Sequence, residues 1–484
     1  MRKQGKLEEV LEHSSHHSTA PEDRIPVFQK AVYSIGALVN QMQAAAITAM
    51  VLVLNLGLGM DPAKVGIIGT VPRLIDAFTD PMIGYTSDNS RSRYGRRRPF
   101  MLWGALAAGV LFMLLFQLYK ENGENFNFWY FLIIQCFFVV IFAFYAIPLI
   151  ALGFEMTPDY HERTRLQGWG NTMGQIAWMI SPWLFKFMYT NKDLVHGVRT
   201  LAVAIGLFIV VGGILPAIFN KEYFTSLPKP EKKKLRFVLR DFFIGFSIAL
   251  KNRPFVQLCI ITFLIFNGFM LASSFTAYVI FFYDFGGDYG KGGDLLGWNG
   301  TVSAVVSFFV IFPLISKMAT KLGKRNTLLI TIPLSMVGYA LKWWGYNPQH
   351  PYLLLFAAPF IAFSLGSIFT VVTSMLADVC DFDELQTGTR REGIFGGIYW
   401  WMIKLGQAVA SLTSGFLLNW TGFKESLHGN QTPQTLLQMR LCDIGIPIMA
   451  SLIAIYFIST FEVTEDKAYA IRRQLEERRG KSVS

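Results

Sequence analysis

Long apolar runs alternate with short polar breaks along almost the whole chain. Windows of about 20 residues, the length a helix needs to cross a hydrocarbon layer, mark apolar spans near 30–58, 64–87, 99–119, 127–155, 167–190 and 199–219. After a polar interval come further spans near 254–285, 295–317, 326–346, 351–377, 393–420 and 442–462. The pattern predicts an all-α polytopic membrane protein with twelve transmembrane helices in two pseudo-symmetric six-helix halves. The break between the halves holds Lys229, Lys232, Lys233, Lys234, Arg236 and Arg240. The expected organisation is a tail over 1–29, a first bundle over 30–219, a linker over 220–253, a second bundle over 254–462 and a second tail over 463–484. Within the linker, Leu235 to Leu250 interleaves apolar and charged residues, which suits either a helix lying on the membrane surface or a soluble connecting helix.

Composition agrees with the pattern. Of 484 residues, 52% are hydrophobic and only 16% charged, with a mean hydropathy of +0.38, whereas soluble domains average about 25% charged. The net charge of +11 would suggest nucleic acid in a soluble chain. Here the basic residues crowd into the loops after the second, fourth, sixth, eighth and tenth spans, so topology accounts for them and no nucleic-acid partner is expected. The same asymmetry places both termini on the cytoplasmic side. Cys136, Cys259, Cys380 and Cys442 show neither paired nor metal-binding spacing. Met1 to Arg24 lacks the apolar core of a cleaved signal peptide.

The chemistry concentrates in the second span. Asp76 and Asp80 lie four residues apart, hence on one helix face, with Arg73 one turn upstream. An ionised side chain at mid-membrane costs roughly 2.5–3.5 kcal/mol on insertion scales, so acids retained there bind a cation or carry protons. The halves also echo each other. Gly95-Arg96-Arg97-Arg98 opens the third span much as Gly323-Lys324-Arg325-Asn326 opens the ninth, and Glu155 to Tyr160 answers Asp378 to Asp383. Parallel repeats of this kind place a substrate cavity between the halves near mid-membrane.

Asp76-Ala77-Phe78-Thr79-Asp80-Pro81, then Ser87-Asp88 and Gly95-Arg96-Arg97-Arg98-Pro99, resembles the second-helix signature of the glycoside, pentoside and hexuronide cation symporters of the major facilitator superfamily. Glu155-Met156-Thr157-Pro158-Asp159-Tyr160, Lys251-Asn252-Arg253-Pro254-Phe255 and Ala377-Asp378-Val379-Cys380-Asp381-Phe382-Asp383-Glu384 look like further signatures in register. The resemblance implies the major facilitator fold and alternating-access symport of a small organic solute with sodium or a proton, with no other cofactor or metal. It implies a cation site at Asp76 and Asp80, with Thr79 as an oxygen ligand. Lys404 matches the lysine that the family places in its central cavity, and Arg73 stands beside it. A bland alternative is that these charges form a fixed ion pair serving helix packing.

Departures bear on the solute. The melibiose-carrier branch holds its galactoside with an acid in span one and with an acid and a tryptophan in span four. Here the first position falls on Asn40 or Gln41, the others on Ala146 and Ile150, and Asn171 replaces an arginine frequent in span five. Amides and aromatic faces at Asn40, Gln41, Asn171, Gln175 and Trp400 suit a polyhydroxylated ring, so a sugar, glycoside or sugar acid is expected. The resemblance further implies an inner gate of charges at Asp88, Arg91, Glu155, Arg163, Asp378, Arg390 and Arg391, for which topology anchoring is the rival explanation. A lipid or lysophospholipid carrier of the same superfamily is the alternative function. A membrane phosphotransferase would need further acids absent around Asp76. The partners expected are a small-molecule solute and the bilayer, with the chain working as a monomer.

Overall fold

A computed structural model describes residues 23–90, 92, 94–157, 159–189, 193–222, 245–388 and 391–478. Among them every regular element is helical. In chain order the long helices are α1 (Val27–Leu56), α2 (Pro62–Asn89), α3 (Arg98–Leu115), α4 (Glu124–Glu155), α5 (Tyr160–Met188) and α6 (Leu194–Phe219). They continue as α7 (Arg253–Asp284), α8 (Tyr289–Leu322), α9 (Lys324–Gly345), α10 (Pro351–Thr387), α11 (Glu392–Trp420), α12 (Pro433–Ser459) and α13 (Glu465–Arg478). Eight of these, α1, α3, α4, α6, α7, α8, α10 and α12, are long and apolar enough to cross a membrane. The helices α2, α5, α9 and α11 run to 28, 29, 22 and 29 residues but carry more polar and charged positions.

Several helices start ahead of the apolar windows, because polar caps and not hydropathy set their first turns. Asp159 accepts from the Glu162 backbone N–H at 2.7 Å, so α5 begins at Tyr160 where hydropathy begins near 167. Asp288 receives the N–H groups of Gly290 and Lys291 at the head of α8, and Thr432 that of Thr435 at the head of α12. Such a side-chain cap contributes about 1 kcal/mol, and windowed hydropathy cannot register it.

Alternate helices leave one end of the bundle holding Ile25, α13 and the loops after α2, α4, α8 and α10; this is the termini end, and the opposite one the far end. At the termini end two sets of contacts mirror each other. The Arg98 guanidinium donates to the carbonyls of Ala217 and Ile218 at the close of α6, and Arg325 donates to those of Ile458 and Ser459 at the close of α12. Glu155 holds Arg97 at 2.7 Å and Arg96 beside it, while Asp378 holds Lys324 at 2.7 Å. The glycines before α3 and α9, Gly95 and Gly323, both take positive φ, +106° and +80°. Only glycine adopts that conformation without strain, and it turns each chain sharply into the next helix.

At the far end the first six helices meet the next six. The Tyr278 hydroxyl donates to Asn55 at 3.1 Å, Trp183 to the Thr301 hydroxyl at 2.8 Å, and Asn419 to Asp61 at 2.9 Å. Lys186 pairs with Asp294 across the same junction. Helices α2 and α11 approach most closely: a Cβ placed on Gly415 would lie 2.3 Å from the Pro62 carbonyl oxygen, and one on Gly66 2.7 Å from that of Ser411. One apolar core follows this geometry, combining residues such as Met50, Phe112 and Phe185 with Phe275, Phe281 and Phe282. A second core draws its buried residues from 249–475 alone.

Candidate cation and solute site

Four side chains on α2 and α11 make the centre. On α2, Gly66, Gly69, Thr70, Arg73, Asp76 and Asp80 recur at three- and four-residue steps and so share a face. That face meets α11: Gly66 and Gly69 pack on Ser411, and the Thr70 hydroxyl donates to the Ala408 carbonyl at 2.9 Å. One to two turns further, the Lys404 ammonium bonds Asp76 Oδ2 at 2.9 Å and also Oδ2 of Asp80. The side chains of Asp76, Asp80 and Lys404 are 16%, 30% and 29% exposed. They are therefore partly open to solvent, while on their far side α2 and α11 close on each other at Gly66, Gly69 and Gly415.

Charge decides what this cluster can hold. Two carboxylates face one ammonium in contact, and an excess negative charge in apolar surroundings attracts a proton or a small cation. Arg73 is half-buried and feels the charge of Asp76, yet among the described residues it forms no ion pair or hydrogen bond. The Thr79 hydroxyl donates to the Asp76 carbonyl at 3.4 Å, so its lone pairs remain for a ligand role. Pro81, inside α2, removes the N–H that would have bonded the Ala77 carbonyl. That carbonyl is an oxygen of the kind hard cations take.

The expected solute-binding residues surround this centre unevenly. Asn171 and Gln175 stand exposed on one face of α5 and make no hydrogen bond among the described residues. Trp178, on the same face, donates to the Gln41 side-chain oxygen at 3.1 Å, and Gln41 packs over Gly174. Asn40 is half-buried beside it. On the opposite wall Trp400 is 54% exposed, its ring stacked 6.4 Å from that of Phe369. A remnant chamber of about 110 Å³ between Gly66, Ser274, Tyr278 and Ser411 sits in the closed far end. It has room for a few waters and is well below the roughly 300 Å³ of the smallest usual ligand pockets.

Among the described residues, the expected gate residues Glu155, Arg163 and Asp378 pair within their own halves. Glu155 binds Arg96 and Arg97, and Arg163 donates to the Thr157 carbonyl at 3.1 Å, all within the first six helices. Asp378 binds Lys324, and Arg391 lies 3.5 Å from Asp383, all within the second six. Arg91 and Arg390 lie outside the described residues, as does the side chain of Asp88. The roles of Arg96, Arg97 and Lys324 as carboxylate partners escaped the reading of single motifs, although the mirrored Gly95 and Gly323 segments carried the signal. A second buried cluster also escaped it. Lys342 holds Asp443 at 2.8 Å, with the Tyr346 hydroxyl donating to the same acid at 2.6 Å.

Comparison with known proteins identifies the family and the fold. A family profile described as MFS/sugar transport protein matches residues 32–465. The uncharacterized symporter YnaJ of Bacillus subtilis is 25% identical over 464 residues, covering 94% of this chain and 96% of its own. The glucuronide carrier protein homolog of Escherichia coli is 24% identical over 428 residues, 87% of this chain and 89% of its own. Among solved structures, the nucleoside transporter NupG superposes with a TM-score of 0.61 at 12% identity, over 90% of this chain and 98% of that one. At that identity the likeness concerns the fold alone.

Proposed function

Since the chain belongs to the MFS/sugar transport protein family, whose members are membrane transporters and not enzymes, we propose that it is a symporter. It carries a sugar, glycoside or sugar acid together with Na+ or H+ by alternating access. In this reading α2, α5, α9 and α11 cross the membrane along with the eight apolar helices. The twelve then form two six-helix halves over 30–219 and 254–462, joined by the linker 220–253 and flanked by tails 1–29 and 463–484. The mirrored Arg98 and Arg325 contacts support the duplication. The termini end, rich in Arg96, Arg97, Arg98, Arg163, Arg165, Lys324 and Arg325, faces the cytoplasm of a bacterial inner membrane.

The observation that carries the reading is the Lys404 ammonium shared between Asp76 and Asp80. One fixed positive charge against two negative ones suits a mobile cation, and Lys404 links α11 to α2 at mid-depth. The far end is shut and the acids open towards the termini side, the arrangement in which cargo leaves to the cytoplasm. When the far end opens, Asp88, Arg91, Glu155, Arg163, Asp378, Arg390 and Arg391 close the inner entrance. Gln41, Asn40, Asn171, Gln175 and Trp400 line the solute side.

Reconstituted vesicles with imposed sodium or proton gradients test this against a panel of sugars and sugar acids. Cation-stimulated accumulation that collapses in Asp76→Asn is the expected result; uptake indifferent to both ions rejects symport. A lysolipid is the second reading, because an apolar groove lined by Phe263, Leu264, Leu271, Leu441, Met449 and Ile453 runs between α7 and α12. Adding a lysophospholipid to the same panel separates the two.

A further inference from the structure

A second group of charges lies buried at the far end of α7, α9 and α12, away from the α2 and α11 centre. It comprises Asp284 at the close of α7, Lys342 on α9, and Arg440 and Asp443 on α12. Lys342 and Asp443 satisfy each other, and the hydroxyls of Thr276 and Tyr346 complete the bonding of that acid. Asp284 is different. It is 5% exposed, and neither carboxylate oxygen has a hydrogen bond or ion pair among the described residues. The charge of Arg440 reaches it without contact, because that guanidinium is held elsewhere. It lies 4.3 Å from the rings of both Tyr283 and Trp343 and donates to the Trp343 carbonyl at 2.6 Å, leaving Nε unused. A carboxylate buried without a donor is costly while ionised. Sodium suits it poorly, since a hard cation takes several oxygens and those of Asp443 are already engaged. A proton needs only one oxygen.

Asp284 also stands where the first six helices meet the next six. It ends the π-turn Ile280–Asp284, an irregularity that recurs at functional positions. Phe281 of that turn and Tyr289 at the head of α8 pack on Phe185 of α5, with ring centres 4.5 and 6.1 Å apart, and Tyr289 meets Tyr189 at 5.7 Å. The titratable groups around the turn are Tyr283 on α7, Asp288 and Tyr289 on α8, Lys342 and Tyr346 on α9, Arg440 and Asp443 on α12, and Tyr189 on α5. Glu425, whose charge reaches Tyr289, and His428 belong to the loop that packs on Gly287. We propose that Asp284 is a proton-binding site that reads the state of the far end, carrying a proton while that end is shut and releasing it when α5 withdraws and water reaches the turn. The shut state then binds one more proton than the open one, so falling pH favours the shut state. This rests on the alternating access proposed above, but not on the cation site, and it holds whether the transported cation is sodium or a proton.

The test follows the far end in the full chain, in nanodiscs, with Cys136, Cys259, Cys380 and Cys442 changed to alanine. Spin labels on Lys120→Cys and Gln349→Cys, exposed positions in the far-end loops after α3 and α9, report opening as a distance by pulsed EPR. Between about pH 8 and about pH 5 the open fraction should fall by up to about tenfold per pH unit, the limit for one proton. Asp284→Asn is nearly isosteric and permanently neutral, and should keep the open fraction low and insensitive to pH. His428→Gln should respond as the parent does, which separates Asp284 from the exposed imidazole nearby. Infrared spectra of the shut state should show a protonated-carboxyl band that Asp284→Asn lacks. Equal pH responses in the parent and Asp284→Asn, or identical carboxyl bands, overturn this inference and leave symport at Asp76 and Asp80 standing; so does an open fraction that sodium or solute changes but pH does not. A distance that neither pH, ion nor solute changes overturns alternating access, and this inference with it.

Discussion

Replacing Asp80 by Asn should cost the site its cation, and removing Lys404 as well should restore much of the affinity. In the native cluster two carboxylates face one ammonium, bonded to Asp76 at 2.9 Å. Asp80→Asn leaves one carboxylate and one ammonium, so an incoming ion gains no net attraction from the pair. A unit charge about 4 Å away is worth roughly 4 kcal/mol at an effective dielectric of 20. Asp80 is 30% exposed, and solvent screening reduces this to about 2–4 kcal/mol, a loss of roughly 30- to 1,000-fold in ion affinity. Asp80→Asn with Lys404→Ala again presents a carboxylate, on Asp76, with no ammonium in contact. The assay is ion binding to purified protein by calorimetry, with sodium titrations at fixed pH and proton uptake followed in weak buffer. Recovery of at least about tenfold in the double variant is expected from charge alone, and a double-mutant cycle isolates the coupling. If the double variant binds no better than Asp80→Asn, net charge does not govern the site and the reasoning fails.

Three further outcomes follow from contacts elsewhere. Gly66→Leu should prevent closure of the far end, since even a Cβ there lies 2.7 Å from the Ser411 carbonyl oxygen; an impermeant maleimide should label a cysteine at Ser414 faster than in the parent, and unchanged labelling contradicts the prediction. Glu155→Gln should lower the Tm more than Asp378→Asn, because Glu155 accepts from both Arg96 and Arg97, the latter 6% exposed, whereas Lys324 is 35% exposed, and weakening a buried charged pair costs more than weakening an exposed one; equal shifts in a thermal aggregation assay refute it. Asp443→Asn should be strongly destabilising, as Lys342 is 5% exposed, while Asp443→Leu with Lys342→Met should be milder than the single change, since replacing both members of a buried pair is often close to neutral.

Apolar periodicity made the helices legible, but only where burial in lipid dominates. The starts of α5, α8 and α12 are set by Asp159, Asp288 and Thr432, whose capping is a local polar effect that a hydropathy window averages away. Asp76, Asp80 and Lys404 stood out because charge amid apolar residues is expensive, and the structure joins them across more than 300 positions of sequence. Lys342 and Asp443 are as unusual by the same criterion, but they lie about a hundred positions apart, Lys342 close to the end of α9 and Asp443 at the start of the apolar span 442–462, where a charged residue reads as a loop boundary. The Arg96, Arg97 and Glu155 cluster was visible as a basic turn and a separate acid. Its pairing depends on how α3 and α4 pack, which single-sequence spacing does not encode.

In the symport reading, coupling between cation and solute follows from how Lys404 is shared between Asp76 and Asp80. With no cation, Lys404 satisfies Asp76 and Asp80 and ties α11 to α2. A cation between the carboxylates would compete with the ammonium for the same oxygens, so Lys404 would be held less tightly and become available to the solute. A solute that takes up the released ammonium would bind more tightly after the cation than before it, and reciprocity requires that it strengthen cation binding by the same factor. Solute arriving alone would instead find Lys404 held by the two acids. In this reading the two ligands load and leave together, and the closed far end, shaped around Gly66 and Gly415, need only follow the occupancy of one electrostatic unit. A carrier without this arrangement would bind each ligand independently and dissipate the ion gradient; the measurable sign of coupling is a solute Kd that falls as sodium or proton concentration rises.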